Sequence, residues 1–295
     1  MTAGVAVSIV LPTHEAGEDL DPLLDAVYAQ EGPTFELIAI DTESSDGTLE
    51  RLARRPLRLE RTTRREFSHP GTRNRGVRLA RGDLVVFLVQ DALPLGPRWL
   101  AALTAPLEDP RVAAAYSRQV PRDGCPPGER RDIERGAPPG RWTKRLGPEG
   151  GSDLLALSTF SHVSSCARRA LLLEHPLDEG LPMVEDQEWC LRILRAGWTV
   201  VYEPASMVAH SHRQTLGQVY RRHRDYGRAF ARFHPLPTSL GRALAGAAWE
   251  TLGDYRYLLA STGSPLAKLA WLPGIPARRL AMKLGFHRGL TARSR

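Results

Sequence analysis

Lysine is scarce in this chain: of its 40 basic residues only Lys144, Lys268 and Lys283 are lysines. Arginine suits bidentate contact with phosphate, and a GC-rich coding bias explains much of the excess as well. Cysteine is equally sparse. Cys125, Cys166 and Cys190 are odd in number and widely spaced, which excludes a disulfide framework and a cysteine metal site and points to a reducing, cytoplasmic setting. No apolar run reaches the ~20 residues that span a bilayer. The first strand begins within seven residues, with no basic segment before it, so no signal peptide is expected. The loop after that strand lacks G-x-G-x-x-G and G-x-x-x-x-G-K-[ST], which disfavours a dinucleotide fingerprint and excludes a P-loop. There is no internal repeat and no long low-complexity tract.

What remains is a chain of 295 residues with 42% hydrophobic content, enough for one large α/β domain or one domain plus an appendage. Its net charge of +7 and isoelectric point near 9.7 suggest an anionic partner. Nucleic acid is set aside, because the basic residues are dispersed and no recognition motif is present.

Strands and helices alternate along the chain. Val5 to Leu11, Phe35 to Ile40, Arg58 to Arg61, Leu84 to Val89 and Val112 to Ser117 read as strands. Asp19 to Gln30, the segment from Thr48, Gly71 to Ala80 and Arg98 to Leu107 read as helices between them. This alternation predicts an α/β fold with a mostly parallel central sheet flanked by helices. Residues 118–152, rich in Pro, Gly and Arg, read as a mobile loop insert with a short helix near Arg130 to Glu134. Phe160 to Cys166 and Thr199 to Tyr202 read as strands, Arg168 to Leu173 and Asp186 to Ala196 as helices. From Leu216 the chain is helical and basic. The expected division is a catalytic domain over 1–235 and a helical extension over 236–295.

Chemistry-bearing residues gather at strand ends and helix starts. Pro12-Thr13-His14-Glu15 follows the first strand, and Asp41 closes the second, ahead of Ser44, Ser45, Asp46, Gly47 and Thr48. In such sheets ligands bind beyond the carboxyl ends of the strands. A polar turn and helix capping by Ser45 or Asp46 are the plain alternatives. Arg73-Asn74, near a helix start, suits a diphosphate; the competing reading is a solvated basic face. Gln90-Asp91 ends a buried apolar strand, where an acid needs a partner such as a metal-bound diphosphate. Glu185-Asp186-Gln187-Glu188-Trp189 puts three acids at a helix start, either as simple dipole capping or as a site for proton abstraction. His210-Ser211-His212 has metal-ligand character, though such a pair is more often a surface turn.

In their order and spacing these segments resemble the family 2 glycosyltransferases, inverting enzymes with a Rossmann-like A-type fold. The resemblance covers roughly residues 5 to 230. It rests on Val7-Ser8-Ile9-Val10-Leu11-Pro12-Thr13, Asp41 with Ser45-Asp46-Gly47-Thr48, Arg73-Asn74-x-Gly76, Gln90-Asp91-Ala92, Glu185-Asp186-x-Glu188 and His210. Phe87 to Ala92 and the run from Phe160 to Trp189 look like the rhamnosyltransferase branch. The resemblance implies Asp186 as general base with Glu185 beside it. It implies a divalent metal, Mg²⁺ or Mn²⁺, on Asp91 and His210. Pro12, Thr13, Glu15, Asp41, Ser44, Asp46, Arg73, Asn74, Gln90 and Trp189 are the implied substrate contacts. The donor would be a dTDP- or UDP-linked sugar, rhamnose favoured, and the acceptor a hydroxyl of a glycan or lipid-linked molecule in cell-wall or polysaccharide biosynthesis. One departure stands out: the family's D-x-D reads Val89-Gln90-Asp91, without its first acid. The alternative function is a catalytically inactive, nucleotide-binding relative. In the tail, Leu266, Leu269, Trp271, Leu272 and Ile275 beside Lys268, Arg278, Arg279 and Lys283 suggest contact with an anionic membrane surface, peripheral at the inner face of the cell membrane. A helix packed on the catalytic domain is the competing expectation.

Overall fold

The computed structural model describes residues 5–146, 157–212, 214–233, 236–262 and 264–292. By their contacts they form two compact units: Met1–Val120, Ala137–Gly180 and Glu185–His210 in the first; Pro121–Gly136, Leu181–Val184 and Ser211–Arg295 in the second.

The first unit is built on one sheet. Its opening strands are β1 (Val7–Thr13), β2 (Phe35–Thr42), β3 (Arg58–Thr62) and β4 (Leu84–Leu88). They pair in parallel in the order β3-β2-β1-β4. β4 is apolar throughout, and β1 is apolar but for Ser8 and Thr13, because both faces are covered. Val7, Ile9 and Leu11 enter one core and Val10 the other; Val86 and Leu88 oppose Val85 and Phe87 in the same way. Helices α1 (Leu20–Tyr28), α2 (Thr48–Ala53) and α3 (His69–Leu79) connect the strands. α1 buries Leu20, Leu23, Leu24 and Val27, the stripe a 3.6-residue period demands. α3 is capped by Ser68, whose Oγ accepts from Gly71 N at 3.0 Å.

Beyond β4 come β5 (Leu93–Pro94), α4 (Trp99–Thr104), β6 (Val112–Val120), the helix α5 (Pro127–Gly136), β7 (Trp142–Lys144) and β8 (Ser164–Arg168). The sheet stays mostly parallel in direction, as expected, but takes in the antiparallel strands β5, β7 and β8. β8 inserts between β4 and β6, antiparallel to both. After α6 (Arg169–Glu174) and α7 (Glu185–Arg195), β9 (Thr199–Ala209) runs parallel to β6. The segment expected as a loop over 118–152 holds the end of β6, α5 and β7 in its described part; residues 147–152 lie outside the described residues.

The second unit is helical: α5, α8 (Leu216–Phe233), α9 (Leu240–Ala260), α10 (Pro265–Trp271) and α11 (Gly274–Thr291). Its boundary falls at His210 rather than at 235, and it recruits α5. The reason is a buried ion network. Arg279 bonds Asp254 and Asp132, and Arg131 bonds Glu250 and Asp254. α8 and α11 touch through glycines. A Cβ on Gly289 would lie 2.1 Å from Arg224 O, and one on Gly285 2.5 Å from Tyr220 O.

Candidate active site

The carboxyl ends of β1 and β2 are laced together by side chains. Asp41 is fully buried. Its Oδ2 accepts from Thr13 Oγ1 at 3.0 Å and Ser44 Oγ at 2.6 Å, and its Oδ1 accepts from Ser44 N at 3.0 Å. Ser44 Oγ in turn accepts from Glu15 N, and Glu15 Oε1 accepts from Ser45 N and Oγ. The His14 ring donates from Nδ1 to Thr42 O at 2.6 Å, which fixes its tautomer. Asp46 is exposed and bonds Thr48 N and Oγ1; the Thr48 hydroxyl is the main cause holding its carboxyl below the ordinary value. Glu15 and Glu43 adopt positive φ, 47° and 50°, at these two strand ends. Left-handed backbone at non-glycine residues persists only where surroundings enforce it.

Gln90 joins β4 to the same edge. Its side chain exchanges two hydrogen bonds with the His14 backbone. Next to it, Asp91 Oδ1 lies 3.6 Å from His210 Nε2. His210 is buried at the end of β9, and its Nδ1 donates to Gln119 Oε1 at 2.9 Å. The Gln119 amide is oriented by a donation to Ser161 Oγ at 3.3 Å. Gln119 therefore holds the tautomer in which the His210 Nε2 lone pair faces Asp91. Metal-ligating histidines have this arrangement, with the second nitrogen donating to an outer partner. Two donor atoms 3.6 Å apart can share one cation at the ~2.0–2.2 Å ligand distances of small divalent ions. The residues present fit a divalent metal.

Asp186 stands at the start of α7. Its Oδ2 accepts from His162 N at 3.1 Å and its Oδ1 from Gln187 N at 2.9 Å. The side chain keeps part of its surface open. Crowding around the carboxyl, followed by the nearby charge of Glu185, nonetheless pushes its pKa up to about 7, against the lowering pull of Arg73. Glu185 itself is buried in an ion pair with Arg73. His162 is buried, bonds Ser165 Oγ through Nδ1 at 2.8 Å and packs on Phe87. Burial first, and Arg73 second, hold its pKa far below the ordinary value, so the ring is neutral. Val184, immediately before the helix, is a β-branched residue at φ 59°, a rare conformation.

The segment Ser161–Val163 ties these groups together. Ser161 touches Gln119, His162 N holds Asp186, and Val163 O accepts from Val89 N at 3.1 Å. The candidate base and the Asp91–His210 pair are thus linked through one short stretch. Neither His162 nor Gln119 stood out in the sequence. His162 lies in a polar run before β8, and Gln119 was hidden because β6 extends three residues past its apolar part.

Trp189, Arg73 and Asn74, expected as substrate contacts, are buried and bonded within the protein. Trp189 is fully buried and donates from Nε1 to His175 O at 2.8 Å. Four residues after Glu185, it falls on the inward face of α7 with Cys190, Ile193 and Leu194. Arg73 and Asn74 are buried, not set on an exposed helix start. Arg73 is spent on Glu185, and Asn74 bonds the backbone of Leu177 in both directions and Glu179 Oε1. Pro12 stays half-buried beside Thr13.

Residues 8–173 match the family model described as Glycosyl transferase family 2, more than half of the chain, and the chain belongs to that family. Its relatives include two O-antigen chain rhamnosyltransferases. The chain is 25% identical over 291 residues to the O-antigen chain rhamnosyltransferase RfbN of Salmonella typhimurium, covering 96% of this chain and 89% of that one. WbaN of Salmonella anatum, also an O-antigen chain rhamnosyltransferase, is 27% identical over 96% of this chain and 88% of its own. Among solved structures, the mannosyltransferase PcManGT of Pyrobaculum calidifontis, in complex with GDP-Man and Mn²⁺, superposes with a TM-score of 0.62 at 20% identity, over 97% of this chain and 88% of that one. This likeness carries the A-type glycosyltransferase fold. The family match ends before Asp186 and His210, so their roles rest on the geometry above.

Proposed function

We propose that the protein transfers a sugar, rhamnose favoured, from a nucleotide diphosphate donor to a hydroxyl of a glycan or lipid-linked acceptor, inverting the anomeric centre, with Asp186 as the base. The observation that carries this reading is the Asp186 carboxyl itself. It is pinned by two backbone N–H groups, and its raised pKa lets it take a proton near neutral pH. Acceptor hydroxyl oxygen attacks the anomeric carbon from the face opposite the nucleotide. The new C–O bond forms as the bond to the phosphate oxygen breaks. The nucleotide diphosphate departs with the electron pair, and the hydroxyl proton passes to Asp186.

The remaining residues bind and orient. The loop from Pro12 to Glu15 and the turn from Asp41 to Asp46 form the nucleotide cradle, with Asp41 shaping it through Thr13 and Ser44. The Arg73–Glu185 pair fixes the start of α7. Asp91 and His210 are the residues that would hold a divalent cation. Such an ion neutralises charge on the leaving diphosphate.

A donor panel tests the reading. Purified full chain is incubated with dTDP-rhamnose, UDP-sugars and GDP-sugars, with Mg²⁺ or Mn²⁺, and nucleotide diphosphate release is followed. Release from one donor, dependent on an added acceptor, is expected. Tight nucleotide binding without turnover of any donor would instead support the inactive, nucleotide-binding alternative.

A further inference from the structure

The positive charge of this chain belongs to its second unit. Residues 211–295 hold 15 of the 40 Lys and Arg but three of the 33 Asp and Glu, a net +12, so the preceding 210 residues carry a net −5. Helix α9 turns Ala243, Ala247, Asp254 and Leu258 inward. The opposite face of an ordinary surface helix is polar. Here it carries Leu244, Trp249, Leu252 and Leu259, and Leu266 and Leu269 on α10 continue the apolar character. Trp249, Leu259 and Leu266 are 70%, 72% and 78% exposed. The Lys268 ammonium bonds Leu259 O and Ser261 O, which folds α10 back onto the end of α9. A groove of about 490 Å³, lined by Leu244, Ala248, Leu252, Tyr255, Pro276 and Leu280, opens beside the stripe.

The charges on this face have one sign. The exposed charged residues of α9 are Arg242 and Arg256. The two acids of α9, Glu250 and Asp254, are drawn away to Arg131 and Arg279. Large exposed apolar side chains beside exposed charges that on α9 itself are all cationic match an anionic lipid surface, where the apolar groups enter the acyl boundary and the arginines meet headgroup phosphates. A second copy of the chain fits poorly. A two-fold contact would set Arg242 and Arg256 against their own copies with no carboxylate to answer them.

We propose that the outward face of α9 and α10, centred on Trp249, Leu259, Leu266 and Leu269, docks the protein on anionic lipid membranes. This revises the tail-centred expectation. Ile275 and Arg279 are buried, Leu272 and Lys283 are half-buried, and the surface lies chiefly on α9. The docking is independent of the sugar chemistry.

The test is co-sedimentation of the full chain with phosphatidylcholine vesicles, with and without phosphatidylglycerol, at low and high salt. Binding should be roughly tenfold or more stronger to anionic vesicles and should fall with salt. The triple variant Trp249→Ser, Leu266→Ser, Leu269→Ser should keep its thermal midpoint and stay in the supernatant, and Arg242→Gln with Arg256→Gln should lose the preference for anionic lipid. Brominated lipid should quench wild-type fluorescence more than that of Trp249→Phe, a readout that stands even if the triple variant unfolds. Three results overturn the proposal: a full chain that remains soluble with both vesicle types, equal quenching in Trp249→Phe, or a concentration-dependent dimer that the triple variant abolishes.

Discussion

Gln90 grips the backbone of His14 from both sides. Its Oε1 accepts from His14 N at 2.7 Å, and its Nε2 donates to His14 O at 2.9 Å. The side-chain amide offers an acceptor and a donor side by side, as this pair of bonds requires. A carboxylate in this position would accept one bond and set its charge against the His14 carbonyl. Gln90, the middle residue of Val89-Gln90-Asp91, is therefore a structural tie between β4 and the loop after β1, and Asp91 is left as the strand-end acid.

That tie makes the first prediction. Gln90→Glu keeps the length of the side chain and removes the donor. One hydrogen bond at a partly exposed site is worth about 1 kcal/mol, roughly fivefold in affinity. Nucleoside diphosphate affinity, measured by titration calorimetry, should weaken by about that factor while the thermal midpoint moves little. An unchanged Kd would detach the His14 loop from nucleotide binding.

Asp186→Asn should abolish proton transfer and spare the donor site. Turnover is expected to fall by about 10²- to 10⁴-fold with donor Kd unchanged. The same substitution reports on the raised pKa. Between the free aspartate value near 4 and about 7 the folded protein holds a proton that the unfolded chain has released. Asp186 thus contributes stability below that window and loses it as pH rises through 7. The thermal midpoint of Asp186→Asn relative to wild type should climb from pH 5 to pH 8. A pH-independent difference would mean the carboxyl titrates normally.

The pH profile of turnover follows from the same group. A base must be unprotonated to act, so kcat/KM should show an acid limb near pH 7, set by Asp186 in the free enzyme. A rate that is flat from pH 5 to pH 8 would transfer the role to another group.

Metal binding should depend on Gln119 as well as on the two donors. Asp91→Ala and His210→Ala should lose Mn²⁺ affinity, and EDTA should remove activity. Gln119→Leu leaves both donors but frees the His210 ring, and outer partners of this kind are worth about 10- to 100-fold in affinity. Direct Mn²⁺ titration with paramagnetic detection separates this from effects on turnover. Wild-type Mn²⁺ affinity in all three variants would sink the site.

Much of the fold was legible one strand at a time. The apolar runs Val7 to Leu11 and Val85 to Leu88 announce buried strands, because covering both faces removes polar alternation. Leu20, Leu23, Leu24 and Val27 announce α1 by their spacing. Periodicity names an element and its buried face, but not its neighbour. For that reason the antiparallel insertion of β8 between β4 and β6 could not be read, nor could the recruitment of α5 to the helical unit through Asp132, Arg131 and Asp254.

The site divides along the same line. Sequence by itself determined which acids end strands or begin helices, Asp41, Asp91 and Asp186, since local apolar runs and capping preferences place them there. Tertiary structure decided what each is bonded to. Asp41 is consumed by Thr13 and Ser44, Arg73 turns inward to Glu185, Trp189 joins the core, and His162 and Gln119 enter the site unannounced. Hydrogen bonds and ion pairs act over about 3 Å in space, and those distances are closed by the packing of segments that lie far apart along the chain.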